Sequence, residues 1–297
     1  MQKLNGVLPI NKPSGVSSFD VIRILKKRLA DLDWKKQKIG HGGTLDLPAS
    51  GVLPILLGEA SKAFDYLLLS KKEYRAVIQF GAVTDTDDAQ GRVIETYEAG
   101  ADLNDIEAVL PKFTGRIMQV PPLYSSLHIN GQRSYDLARR NIMAAGEPRE
   151  VEISGITIEA YDNKLKRLTI RVLCSSGTYI RSLARDIGRE LSCGGHISEL
   201  RRTMSAGIKL EDCIKPEEVD ISSIEKQIIP LNKALTLPAL DFQQDKDYIR
   251  SGRKLNKELF GEPGHEDGLY KIVAGGAVLA IVEKKGLNYI YLRVFND

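Results

Sequence analysis

LTIRVLCSSGTYIRSLARDIGREL, residues 168–191, carries two hydrophobic periods in one run. Leu168, Ile170, Val172 and Cys174 recur at every second position, the period of a strand with one buried face. After Ser176-Gly177 the period changes. Ile180, Leu183, Ala184 and Ile187 fall at helical spacing, so 178–191 reads as a helix with Thr178 as its candidate cap. Working outward, Tyr74, Ala76, Ile78 and Phe80 alternate as a second strand, and GVLPINKP (6–13) and GVLPILLG (51–58) read as further strands. Ser17 with Asp20 three residues later forms a capping box ahead of Val21, Ile22, Leu25 and Leu29, which places a helix over 18–30. Residues 59–70, 104–112 and 134–140 read as shorter helices. These elements do not alternate at βαβ spacing, so the fold class is α+β.

The chain has 297 residues, enough for one large or two unequal domains at about 150 residues each. Composition shifts near 230–240, where Pro230 and Pro238 fall. Three short strands follow, over 269–274, 277–283 and 288–295, with Gly275-Gly276 as a two-residue turn. A small C-terminal β domain is therefore expected. IGHGGTLDLPASG (39–51) has four glycines and a proline and reads as a shaped loop without regular structure. The 42% apolar and 27% charged content excludes a disordered or collagen-like chain. No run approaches the roughly 18 apolar residues of a spanning helix, and the N-terminus lacks the apolar core of a signal peptide, so a cytoplasmic location is expected.

Charge is unevenly spread although the net value is only +3. Residues 21–40 are basic, 85–107 acidic, and 181–202 rich in Arg. That segregation fits either a basic face for nucleic acid or solvated helix faces. Familiar cofactor motifs are missing: there is no G-K-[ST], no G-x-G-x-x-G and no H-E-x-x-H. Gly15-Val16-Ser17-Ser18-Phe19 fails the G-x-S-x-G pattern. An EF-hand loop opened at Asp85 would need Glu where Thr96 stands. Cys174, Cys193 and Cys213 have no C-x-x-C spacing, which argues for three reduced thiols rather than a disulfide framework or a zinc site.

Five side chains carry chemistry that admits two readings. Asp46 stands between Leu45 and Leu47 in the glycine-rich loop, either as a turn-forming acid or as a nucleophile held on a stiff loop. Tyr179 and Arg181 lie in the first turn of a helix, either as packing and surface groups or as a base-stacking ring beside a carboxylate-pairing guanidinium. Tyr74 is core or base platform. His41 is a structural loop histidine or an acid–base group.

The segments GVLPINKPSGVSSFDVI (6–22), GHGGTLDLPASGVLPILLGEASK (40–62), KEYRAVIQFGAVTDTDDAQG (72–91) and CSSGTYIRSLARDIG (174–188) occur in this order. Together they resemble the bacterial tRNA pseudouridine-55 synthases of the TruB type. QVPPLYSSLHINGQRSYDLAR (119–139) and GGHISELRRT (194–203) extend the resemblance over roughly 6–205. The family pattern G-H-T-G-T-L-D-P-L-A reads G-H-G-G-T-L-D-L-P-A here, with Gly42 in place of Thr and Leu47-Pro48 inverting Pro-Leu.

The resemblance implies a mixed, mostly antiparallel sheet flanked by helices, the pseudouridine synthase fold. The catalytic domain would span 1–236, with an insertion at about 121–151 that clamps RNA. A PUA-like RNA-binding domain would span 237–297. It implies Asp46 as the essential catalytic acid, Tyr74 as the ring stacking on the target uracil, and Arg181 as the partner of the catalytic carboxylate. Tyr179 would line the same pocket, His41 would steady the opened T loop, and Lys12 and Leu200 would be further active-site positions. Arg133, Arg139, Arg140 and Arg149 of the insertion would meet phosphates. The implied activity is isomerisation of a T-loop uridine in tRNA with no cofactor and no metal. The partner is the tRNA T stem-loop, and the protein is expected to be a monomer with no obligate protein partner and no membrane contact. A tRNA-binding and folding protein with weak or lost catalysis is the alternative, and the altered loop around Asp46 motivates it.

Overall fold

The computed structural model describes residues 4–31, 38–98, 100–124, 128–129, 132–133, 146–260 and 266–296. The first elements are β1 (Gly6–Lys12), α1 (Ser18–Asp31), β2 (Ile39–His41), β3 (Ser50–Leu57), α2 (Phe64–Leu68), β4 (Lys72–Phe80), β5 (Ala82–Thr84), β6 (Val93–Thr96), α3 (Leu103–Val109) and β7 (Gly115–Gln119). Next come β8 (His128–Ile129), β9 (Gln132–Arg133), β10 (Arg149–Asp162), β11 (Arg167–Cys174), α4 (Ile180–Glu190), β12 (Gly195–Ser205) and β13 (Ile208–Lys209). The last are α5 (Ile221–Gln227), α6 (Leu231–Ala234), β14 (Ala239–Asp241), α7 (Asp247–Arg250), β15 (Gly268–Ala274), β16 (Ala277–Lys285) and β17 (Asn288–Val294). They form two compact units: 1–47 with 51–70 and 205–297, and 48–50 with 71–204.

In the first unit β1 runs antiparallel to β3, from Gly6 opposite Leu57 to Lys12 opposite Gly51. Both strands are nearly continuous apolar runs because both are buried. Pro9 lies opposite Pro54, so the two residues that lack an N–H share one rung. The capping box of α1 forms as expected: the Asp20 N–H donates to Ser17 Oγ at 3.0 Å and the Ser17 N–H to Asp20 Oδ2 at 3.3 Å. In the C-terminal part, β15, β16 and β17 make an antiparallel meander, and Gly275-Gly276 turns the first hairpin at φ +57° and +80°. β14 adds a short parallel edge to β15 that the sequence pattern did not show. This small sheet encloses its own core of Leu240, Phe242, Ile249, Phe260, Ile272 and Tyr289. Val278, Ile281 and Phe295 instead join Val7, Val52, Leu56 and Leu67 in a second core, which ties the meander to β1 and β3.

The second unit is a sheet in the order β12–β4–β11–β10–β7. β4 pairs antiparallel with β11, β11 with β10, and β10 with β7. The apolar stripe Ile180, Leu183, Ala184 and Ile187 of α4 is buried. Gly188 permits its close approach: a Cβ there would stand 2.4 Å from the Gly194 carbonyl carbon and the Gly195 nitrogen. Helix α4 starts later than its sequence suggests. Tyr179, not Thr178, is the N-cap, and it caps without a side-chain hydrogen bond. The Thr178 hydroxyl lies 3.5 Å from Ser175 Oγ. Residues 39–51 are not wholly irregular either, since Ile39–His41 pairs with Leu57–Ile55 of β3. Two long strands, β10 and β12, were not visible in the hydrophobic pattern. The helix expected over 134–140 lies outside the described residues, as do Arg139 and Arg140.

Candidate active site

Asp46 sits half-buried in the loop between β2 and β3. Its neighbours on both sides are fastened to the turn between β1 and α1. Ser18, buried, accepts from the Leu45 N–H at 3.0 Å and donates to the Leu45 carbonyl at 3.2 Å. The Leu47 carbonyl accepts from the Gly15 N–H at 2.9 Å and from Lys12 Nζ at 3.4 Å. Lys12 is itself fully buried, and its ammonium also donates to the carbonyls of Val16 at 2.6 Å and Pro13 at 3.0 Å. A buried ammonium needs such partners, and here they make Lys12 an organiser of the turn that holds Leu47. Gly42 suits the same packing. Its N–H donates to the Pro54 carbonyl at 2.7 Å, and a Cβ would press on Pro54 Cβ at 3.3 Å. The glycine in place of the family threonine thus belongs to a close approach between the loop and β3.

His41 ends β2 opposite Ile55. It lines an open groove of about 590 Å³ with Lys38, Lys62, Asp65 and Arg293. Two of these cations are held in place: Lys62 by Glu59 at 2.6 Å and the Val294 carbonyl at 3.2 Å, Arg293 by Asp65 at 3.6 Å.

The second unit holds Tyr74, Tyr179, Arg181 and Leu200. Tyr74 is buried on β4 opposite Val172 of β11, and Leu200 is half-buried on β12. Arg181 is 5% exposed, and its fork is fully directed. Nη1 donates to the Thr86 carbonyl and Nη2 to the Tyr124 carbonyl, both at 2.9 Å, while Nε stands 3.9 Å from Asp88 Oδ2. Asp88 is fixed in turn, its other oxygen accepting from Thr86 Oγ1 at 2.7 Å and the Gln90 N–H at 3.0 Å. One turn on, Arg185 donates to Asp87 at 2.9 Å. Burial raises the pKa of Asp87, and Arg185 and Arg181 oppose the rise. The acidic turn that resembled a calcium loop therefore serves as a cradle for the α4 arginines. No metal-ligand cluster occurs among the described residues. Of the arginines in 181–202, Arg181 and Arg202 are buried and Arg185 is paired with Asp87.

Beside Tyr74 lies an unusual pair. Lys72 and Arg202 are 6% and 1% exposed, on neighbouring strands β4 and β12, with Cys174 of β11 opposite Lys72. Burial, and then the charge of Arg202, lowers the Lys72 pKa from 10.5 to about 8, while burial pushes Cys174 from 9.0 to about 11. Between pH 8 and 10.5 the unfolded chain keeps a proton on Lys72 that the native state has released. This contribution to stability is complete above 10.5 and is lost as pH falls through 8. Lys72→Met removes it and leaves Cys174 common to both proteins. Wild type is thus expected to gain about 3 kcal/mol on the variant from pH 8 to pH 10.5. Paired urea titrations check this, and parallel stability curves would contradict it.

Residues 27–180 match the model of the TruB family pseudouridylate synthase N-terminal domain, and residues 181–236 match the tRNA pseudouridylate synthase B C-terminal domain. The chain belongs to the TruB family. It is a tRNA pseudouridine synthase, an isomerase. Relatives include the tRNA pseudouridine synthase B of Clostridium kluyveri, 38% identical over 98% of this chain and 100% of that protein. That of Francisella tularensis subsp. novicida is 39% identical over 94% of this chain and 91% of its own length. Among solved structures, the crystal structure of a Cbf5-Nop10-Gar1 complex superposes with a TM-score of 0.75 at 27% identity, covering 98% of this chain and 85% of that one. The α+β class and the pseudouridine synthase fold expected from the sequence agree with that superposition. The seven residues given active-site roles by the resemblance lie in described segments. Asp46, His41 and Lys12 fall in the first unit and Tyr74, Tyr179, Arg181 and Leu200 in the second. The motifs gave no role to Ser18, which fastens the backbone of Leu45, to Asp88, which faces Arg181, or to Asp87 and Arg185, which pair with each other.

Proposed function

We propose that this TruB-family chain converts one uridine of the tRNA T loop, the position-55 uridine, to pseudouridine, with Asp46 as the essential carboxylate. The observation that carries the reading is the double fastening of Asp46, with Leu45 held by Ser18 and Leu47 held by Gly15 and Lys12. A reacting group must be held to within about 0.5 Å of its working position, and such a loop supplies that stiffness. The reaction breaks the N1–C1′ bond, turns the base, and forms a C5–C1′ bond. The C5 proton leaves and N1 gains one, so atoms and electrons balance without an oxidant or reductant.

In this reading the target base leaves the stack and enters a pocket at a cost of a few kcal/mol. Stacking on Tyr74 returns about 1–3 kcal/mol. Tyr179 and Leu200 line the pocket. We assign Arg181 as the positive charge of its pocket in the reacting complex, because a guanidinium keeps a carboxylate ionised against burial. His41 and the cationic groove around it meet the T-loop backbone. The 237–297 segment, with its own core, acts as an RNA-binding module. Residues 121–151 contact the T stem. Arg149, one of the proposed phosphate ligands of that insertion, instead has its guanidinium over the Tyr179 ring.

Two measurements test this. With 5-tritiated uridine in a tRNA transcript, each turnover releases tritium from C5. Release is expected from the wild-type transcript and is expected to vanish when the position-55 uridine alone is changed to cytidine. Unchanged release would move the reaction to another site. Binding should also weaken with salt, by on the order of 100-fold between 50 and 200 mM if about four phosphates are engaged. A flat response would contradict a backbone-reading interface.

A further inference from the structure

The N-terminus of α4 is held from outside its own helix. Tyr179, the N-cap, has φ −95° and ψ 111° and no side-chain cap. Its own backbone is held from β7. Gln119, 1% exposed, accepts from the Tyr179 N–H through Oε1 at 2.8 Å and donates through Nε2 to the Tyr179 carbonyl at 3.0 Å. A side-chain amide that meets both backbone groups of one residue fixes its peptide planes as a rung of a sheet would. The ring is fixed as well. The Arg149 guanidinium carbon stands 4.7 Å from the ring centroid, and Nη2 of the same group donates to the Gly177 carbonyl. A guanidinium over an aromatic face is attracted by the ring quadrupole and stacks flat on it.

Gln119 and Arg149 are also direct partners across the antiparallel β7–β10 ladder. Opposed residues of such a ladder project to the same side, so both reach Tyr179 together. The adjacent residue Val120 takes hold of the next turn: its carbonyl accepts from Ser182 Oγ at 2.8 Å and from Arg185 Nη2 at 2.9 Å. Arg181 lies between these two anchor points, its own fork directed at Thr86 and Tyr124.

We propose that Gln119 and Arg149 are positioning residues for the isomerisation: as a cross-strand pair they set the backbone and ring of Tyr179 and, through the first turn of α4, the guanidinium of Arg181. This rests on the reading of Tyr179 and Arg181 as pocket residues. Neither Gln119 nor Arg149 needs to touch the substrate. Their effect should therefore fall on turnover rather than on RNA affinity, because small displacements of reacting geometry are costly to rate.

The test compares Gln119→Leu, Gln119→Glu, Arg149→Lys and Tyr179→Leu by tritium release, each checked for a native unfolding transition. Gln119→Leu is expected to lower kcat on the order of 10- to 100-fold with KM within about threefold. Arg149→Lys, which loses the guanidinium over the ring, is expected to lower kcat several-fold. Gln119→Glu supplies the discriminating readout. An ionised carboxylate faces the Tyr179 carbonyl with no donor, whereas the protonated acid restores one donor and one acceptor. Its kcat, taken relative to wild type at each pH, should rise as pH falls, while that of Gln119→Leu stays flat. Wild-type kcat in Gln119→Leu alongside an impaired Tyr179→Leu would overturn the proposal, as would a Gln119→Glu ratio that does not move with pH. Wild-type turnover in Tyr179→Leu would instead remove the premise that Tyr179 belongs to the pocket, and the proposal with it.

Discussion

Asp46→Asn is expected to abolish pseudouridine formation, by at least on the order of 10³-fold in kcat, while tRNA binding stays within a few-fold of wild type. The substitution exchanges one carboxylate oxygen for an amide nitrogen and leaves the shape unchanged. The contacts that Ser18, Gly15 and Lys12 make with the loop run through the backbone of Leu45 and Leu47, so these three keep their partners. What is lost is the negative charge the chemistry needs. Filter binding beside single-turnover tritium release separates the two quantities. Product at near-wild-type rate would remove Asp46 from the reaction. Loss of binding in step with turnover would make it an RNA-contact residue instead.

The second large effect concerns Arg181. Arg181→Lys keeps the charge and is nonetheless expected to cost on the order of 10²-fold in kcat. The guanidinium spans two carbonyls in different segments, those of Thr86 and Tyr124, and presents Nε towards Asp88. A lysine ammonium is a single point at the end of a flexible stem and cannot reach all three directions at once. Some carbonyl is left unsatisfied in a site that is 5% exposed, so a loss of about 1–3 kcal/mol in stability should accompany the loss of activity. Activity is therefore compared at a temperature where both proteins are folded. Normal turnover in this variant would contradict the role given to the planar fork.

Much of this architecture could be read from the residues because local pattern and tertiary burial agree there. The alternation of Leu168 to Cys174 became β11, the stripe from Ile180 to Ile187 became the buried face of α4, and Ser17 with Asp20 became a real capping box. The strands that escaped are those whose buried positions are polar. In β12 the buried residues include His196 and Arg202, so no apolar period marks it. In β10 the alternation of Val151 and Ile153 is broken at Gly155, where the register with β11 shifts. β2 is three residues in a glycine-rich stretch and exists only because β3 offers it a partner. The candidate site divides in the same way. Asp46, Tyr74, Tyr179 and Arg181 stand in motifs and could be named from the chain alone. Their supports could not. Asp87 and Arg185 appear in the sequence as separate acidic and basic runs, and only the fold brings them to 2.9 Å. Gln119, ahead of a Pro-Pro pair, has no chemical signature of its own, yet it grips both backbone groups of Tyr179.

The altered loop also has a local explanation. Gly42 fits a contact with Pro54 that a Cβ would crowd, and the Leu47 carbonyl is anchored by Gly15 and Lys12. The departures from the family pattern therefore coincide with a held loop, which favours a working enzyme over a binding protein that has lost its chemistry.

The most direct test is product analysis on a T-arm stem-loop transcript incubated with the purified protein and no added cofactor, with Asp46→Asn alongside. After digestion, the account requires a carbon-linked uridine isomer at the T-loop position with wild type and none with the variant, although both bind the RNA. Binding by wild type without that nucleoside would contradict the account and leave a tRNA-binding protein in its place.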